Sequence, residues 1–216
     1  MLTPTAIEAL LWGAWTTIWI SFLAIIGGIP LGLGLGLLRA TRVPVVSQVI
    51  TVYVSLGRAT PLVTMILFIF IGLPALGLDI NRYAAAVFTL LLNTTAFNTE
   101  IWRSAYQAFP RSQIEAAKAL GMQRVPIFFR IMLPQMTYRA LPALVNEMTF
   151  LVKASPAIAV IGIVDLTRVT NRISAVTYQP LPPIIAAGIL YMLFIGVLVR
   201  LQRMAENRAS RFSEKS

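Results

Sequence analysis

The sequence predicts an all-α membrane protein with five transmembrane helices, its N-terminus outside and its C-terminus inside. Three observations carry this reading. Of 216 residues 57% are hydrophobic and only 12% charged, with a mean hydropathy of +0.78, too apolar for an ordinary soluble domain. Residues 9–38, 59–78, 83–99 and 173–199 form uncharged runs, and 140–164 is interrupted only by Glu147 and Lys153; each approaches or exceeds the roughly 20 helical residues that cross about 30 Å of hydrocarbon. The positive charges fall between these runs. With the N-terminus outside, Arg39, Arg42, Arg103, Arg111, Lys118, Arg124, Arg130, Arg139, Arg200, Arg203, Arg208, Arg211 and Lys215 are cytoplasmic, and only Arg82, Arg168 and Arg172 are external. Arg58 and Lys153 lie within or at the edge of spans. That imbalance orients the chain, and charges placed in this way do not form the basic face that nucleic acid requires.

The first run carries no Lys or Arg before Arg39 and is too long for the core of a cleavable leader, so it is expected to remain as a helix. Gly28, Gly32 and Gly36 recur every four residues on one of its faces. Such a ridge lets another backbone approach, either within the chain or from another subunit, and Pro30 predicts a kink. Residues 39–48 read as a basic turn around Pro44. A second helix follows through TPLVTMILFIFIGLP, then a tight external turn at 77–81 and a third helix, RYAAAVFTLLLNTTAFNTEIWR. The fourth starts near Tyr138, residues 165–183 form a polar external loop, and the fifth runs over about 184–201 into a basic tail at 203–216. The whole chain reads as one transmembrane domain, without an internal repeat.

Residues 108–135 are a polar insert on the cytoplasmic side. Ser112-Gln113-Ile114-Glu115 has the form of a capping box, and Gly121 suits a left-handed helix stop about two turns later. Pro126 can open a second helical segment, which Pro134 is expected to end. A two-turn helix needs support from elsewhere. A loop folded back on the membrane helices and a docking element for a partner both fit these residues.

The insert resembles the EAA loop of the membrane subunits of binding-protein-dependent ABC importers. Glu115-Ala116-Ala117, Gly121, Ile131 and Leu133-Pro134 meet each position of that pattern. Arg58-Ala59-Thr60-Pro61-Leu62, LLNTTAFNTEIWR and residues 146–153 are similar to the polar amino acid uptake branch, which the chain departs from at Glu147 and at Lys153-Ala154-Ser155-Pro156-Ala157. The resemblance implies the type I ABC importer permease fold in a bacterial inner membrane. It implies that 108–135 is a coupling loop, with Glu115, Ala116, Ala117, Gly121, Leu133 and Pro134 meeting a cytoplasmic ATPase. It further implies two ATPase copies, a second permease subunit, identical or homologous, and an extracytoplasmic substrate-binding protein; membrane lipid surrounds the chain and nucleic acid is no partner.

No lysine follows a glycine, so there is no loop to cradle nucleotide phosphates; ATP and Mg are expected on the partner, and no cofactor or metal in this chain. The absence of Cys and His removes thiolate and imidazole chemistry, which leaves no catalytic residue to nominate. Polar groups within the bilayer are costly unless they face water or a partner. That rule nominates Asn93, Asn98, Asn146, Glu147 and Lys153 for a substrate path, with Glu147 and Asn146 contacting an amino acid or, alternatively, holding helices together. Glu100 and Arg103, three apart, read as an end-of-helix ion pair. A self-contained channel or ion-coupled carrier, and a membrane anchor for an enzyme complex, are the competing functions.

Overall fold

A computed structural model describes residues 2–40 and 43–213; Arg42 and Lys215, counted above among the cytoplasmic charges, lie outside them. The described residues are helical and joined by short connections, with no strand. In order they form α1 (Pro4–Ala40), α2 (Pro44–Ala59), α3 (Leu62–Ala75), α4 (Arg82–Gln107), α5 (Arg111–Ala119), α6 (Arg124–Ile127), a π-turn (Phe128–Met132), α7 (Leu133–Ala154), a 3-10 segment (Ser155–Ile161), α8 (Leu166–Thr177) and α9 (Leu181–Ser213).

Helix α4 is the hub. It packs most extensively along α1 and also meets α2, α3 and α7. The glycine ridge of α1 explains the first contact: a Cβ on Gly32 would sit 2.5 Å from the Asn98 Cβ and 2.9 Å from its backbone carbonyl carbon. Gly28 faces Thr94 and Gly36 faces the Thr99 carbonyl. The ridge therefore serves intrachain packing, where close backbone approach substitutes for a hydrophobic drive that lipid does not provide. Helix α1 runs unbroken through Pro30.

Length and composition alone identify fewer than five spans, and the expectations for residues 44–48 and 165–183 are corrected by the helices found there. Three helical runs are long and apolar enough to cross a membrane: Pro4–Ala40, Arg124–Ile161 and Leu181–Met204. The pair α2 and α3, bent by 112°, makes a fourth if it counts as one span. Helix α4, expected as the third of five spans, has the length, but its Asn, Thr and Glu side chains keep it out of that set. Its Thr89, Thr94, Thr95, Asn98 and Thr99 are buried against neighbouring helices, so α4 does not need an apolar surface. Residues 44–59, read partly as a turn, form α2, and the expected second helix is α3, which starts just after a break at Thr60-Pro61. The expected external loop contains α8, capped by Asp165, whose carboxylate accepts from the Thr167 and Arg168 amides. The last long helix begins at Leu181.

The insert departs from its predicted caps at both ends. Helix α5 begins at Arg111 with Pro110 as its cap residue and no side-chain cap, so the Ser112 box does not form. Pro134 does not stop a helix. The π-turn at Phe128–Met132 widens the helical path just before Pro134, and the helix continues through it into α7.

Candidate functional site

Two places in the fold gather the nominated residues. The first is the break between α2 and α3. Pro61 forces Thr60 into an extended conformation (φ −81°, ψ 127°), which ends α2 and turns α3 away. The severed end is tied back to α4: the Asn93 side-chain amide donates to the Gly57 carbonyl (3.1 Å), and the Tyr53 hydroxyl donates to the Leu92 carbonyl (2.7 Å). The Arg58 guanidinium lies over the Phe97 ring, 5.4 Å from its centroid.

Between this break, α4 and α7 lies a cavity of about 510 Å³ lined by Arg58, Thr60, Asn93, Phe97, Asn146 and Glu147, among others. Glu147 is buried, with Thr94 and Arg58 acting on its carboxylate. Asn146 and Phe150 are exposed on the adjoining face of α7. The result is a small chamber with one acidic group, one basic group and two amides. Such a set can hold a zwitterion by both of its ends.

The other nominated residues lie elsewhere. Asn98 is buried beneath Gly32 and donates to the Thr94 hydroxyl at 3.3 Å. Lys153 is exposed beyond the cavity, its ammonium 5.8 Å from the Phe150 ring centroid. Sequence reasoning about the path passed over Arg58, Thr60 and Phe97. The X-Pro step at Thr60-Pro61 was the available signal, because it turns the last residues of α2 toward α4 and α7.

At the end of α4 the predicted Glu100–Arg103 pair is present, with Arg103 Nε donating to Glu100 Oε1 at 2.9 Å. Arg39 from α1 joins the same carboxylate at 2.6 Å.

The second place is the 108–135 loop. Gly121 has φ +78°, and its amide bonds to the Lys118 carbonyl (2.9 Å) while the Met122 amide bonds to that of Ala117 (3.1 Å). This doubly bonded stop is available to glycine at little conformational cost. Ala117 is buried in an apolar cluster with Phe109, Ile127, Met132 and Met136, which anchors α5 to the bundle. Gln135 Nε2 donates to Gln113 Oε1 at 2.8 Å and links α5 to α7. Glu115, Ala116 and Gly121 face solvent together with Leu120, Val125 and Phe129. Leu133 is half-buried and Pro134 exposed at the start of α7.

Long apolar helices, a polar chamber at a broken helix and an anchored polar loop define a multi-pass membrane component of a transport assembly. The chain belongs to the family described as the binding-protein-dependent transport system inner membrane component, whose pattern matches residues 28–211. It is 34% identical to the arginine transport system permease protein ArtQ of Bacillus subtilis, over 95% of this chain and 94% of that one. It is 33% identical to the glutamine transport system permease protein GlnP of Escherichia coli, over 94% of each. Among solved structures, a chain of an amino acid ABC transporter crystallised with histidines superposes with a TM-score of 0.84 at 32% identity, covering 93% of this chain and 94% of that one. The fold is thus that of ABC importer permeases.

Proposed function

We propose that this chain is the permease subunit of an ATP-driven importer and forms the transmembrane path for a polar amino acid or related small solute. The observation that carries this reading is the chamber itself: Glu147, Arg58, Asn93 and Asn146 converge at a broken helix, in a chain whose relatives are named for arginine and glutamine transport. Charged and amide groups at that level favour a solute that carries both charges.

In this reading the chain makes five passes through a bacterial inner membrane, N-terminus outside, with α2 and α3 contributing one bent span and α4 crossing as the shielded helix. Glu115, Ala116, Gly121 and Pro134, with the half-buried Leu133, form the face that meets a cytoplasmic ATPase, present in two copies and holding ATP and Mg, while Ala117 packs into the bundle and holds α5 behind that face. The exposed Leu120, Val125 and Phe129 support this, because an apolar patch on a polar loop suits a partner surface. A second permease subunit and an extracytoplasmic binding protein complete the assembly. The solute and its coupling to hydrolysis belong to that assembly, and this chain performs no catalysis.

Reconstitution with its ATPase and binding protein in proteoliposomes tests the reading. Glu147→Gln is expected to lower uptake at least tenfold while leaving the assembly intact. Unchanged uptake and solute range would remove Glu147 from the path. Uptake by the chain without an ATPase would favour a self-contained carrier instead.

A further inference from the structure

A second cavity lies at the end of the bundle distant from the 108–135 loop, between the first turns of α1, the start of α4 and α8. It measures about 810 Å³ and shares no lining residue with the polar chamber. Its origin is local. Gly13 lets the start of α8 come so close that an added Cβ would lie 3.0 Å from the Asp165 carbonyl. Beyond that contact, Ala6 and Ala9 carry only methyl groups and do not fill the space facing Val169, Ile173 and Val176.

The lining divides into an apolar groove and one cation. Arg172 is the only charged side chain among the described lining residues, and it is exposed. Among the described residues no carboxylate lines the cavity. Glu8, on the same stretch of α1, is not among its walls, and Asp165 is committed to the α8 amides. Trp12 and Tyr83 stand at the groove, Trp15 is exposed nearby, and Trp19 packs against Tyr83 with centroids 5.9 Å apart. Such a concentration of amphipathic rings marks the level where hydrocarbon meets headgroups.

We propose that this groove seats one anionic membrane phospholipid, with an acyl chain along the α1–α8 floor and the phosphate on Arg172. The pairing follows from charge. A lone cation beside an apolar trough complements a phosphodiester joined to hydrocarbon, while the ammonium of a zwitterionic lipid would find no carboxylate there. The proposal needs only that the chain spans a membrane, and it stands or falls independently of the transported solute.

The test is quenching of Trp12 in the full chain, reconstituted in phosphatidylcholine vesicles and read as the difference between wild type and Trp12→Phe. Phosphatidylglycerol brominated on one acyl chain should reach half-quenching at about one fifth of the mole fraction needed for brominated phosphatidylcholine, the advantage one basic residue gives near anionic lipid. Arg172→Gln should bring the two lipids level, and Arg172→Lys should keep the preference. Arg168→Gln should also keep it, because the Arg168 guanidinium is bonded to the Ala159 carbonyl and does not line the groove. Equal quenching in wild type overturns the proposal and needs no variant that might fail to fold. A preference that survives Arg172→Gln overturns it too, as does one abolished by excess inorganic phosphate, which would mark a site for free anions.

Discussion

Asn93 on α4 donates its side-chain amide to the Gly57 carbonyl of α2 at 3.1 Å, one turn before the chain breaks at Thr60-Pro61. A carbonyl at a helix end has lost its intrahelical partner, and at this depth water is scarce. Gly57 also brings the two helices close, since a Cβ there would lie 2.8 Å from that of Ala96. Asn93 is therefore a clamp on the break as well as a wall of the chamber.

Asn93→Ala is expected to cost about 1–3 kcal/mol, the desolvation penalty of the orphaned carbonyl. The unfolding midpoint of the purified protein should fall accordingly. Asn146→Ala, at an exposed wall position, should change stability by less than about 0.5 kcal/mol. Equal midpoints for Asn93→Ala and wild type would remove the clamp.

The α1–α4 contact predicts a sharp contrast between glycines two residues apart. Gly32→Val drives side-chain atoms into the Asn98 backbone, whereas an added Cβ at Gly34 meets nothing within 4 Å. Gly32→Val should abolish accumulation of folded protein in the membrane, and Gly34→Ala should be silent by size-exclusion chromatography in detergent.

Gly121 has open space around it, so its constraint is purely one of backbone conformation. Gly121→Ala should cost about 1–2 kcal/mol in a left-handed site. Gly121→Asn should cost less, because asparagine tolerates that region. The order Gly, Asn, Ala should be visible in protection of the 108–122 segment from proteolysis. Equal protection for all three would show that the doubly bonded stop is not what fixes α5.

Asp165 is fully buried, and burial pushes its carboxyl above the usual value, opposed by the amides and the Thr167 hydroxyl it accepts from. The sign follows from linkage. The folded state holds this proton at a pH where the unfolded chain has released it, so the stability contributed is complete below about pH 3.8 and is lost as pH rises through the folded value. Asparagine carries no charge and keeps one side-chain oxygen for the Arg168 amide, at the cost of the Thr167 amide bond. Asp165→Asn should therefore flatten this part of the pH–stability curve and raise the unfolding midpoint at neutral relative to acid pH. An unchanged curve would show that the buried carboxyl does not control it.

Much of this was legible in the linear pattern, for physical reasons. The long apolar runs of α1, α7 and α9, the Glu100–Arg103 spacing and the Gly121 stop are local features that periodicity and conformational preference expose. The 112° bend ahead of residues 62–75 went unmarked because hydropathy does not register a change of direction, and the start of α2 read as part of a turn. Helix α8 looked like a loop because it is short and polar on one side, and its apolar side has meaning only once α1 lies beneath it. Arg39 meets Glu100 across 61 residues, a distance over which spacing says nothing. Asn98 and Asn93 looked equivalent. Only the rotation of α4 sends one under the α1 glycines and the other to the chamber.

The bend between α2 and α3 has a consequence for how such a protein is probed. Two helix termini meet within the body of the bundle, and each leaves main-chain carbonyls or amides without the partners a straight helix would supply. Peptide groups themselves can then greet a passing solute, and alanine scanning, which edits side chains alone, would pass over that contribution without a trace.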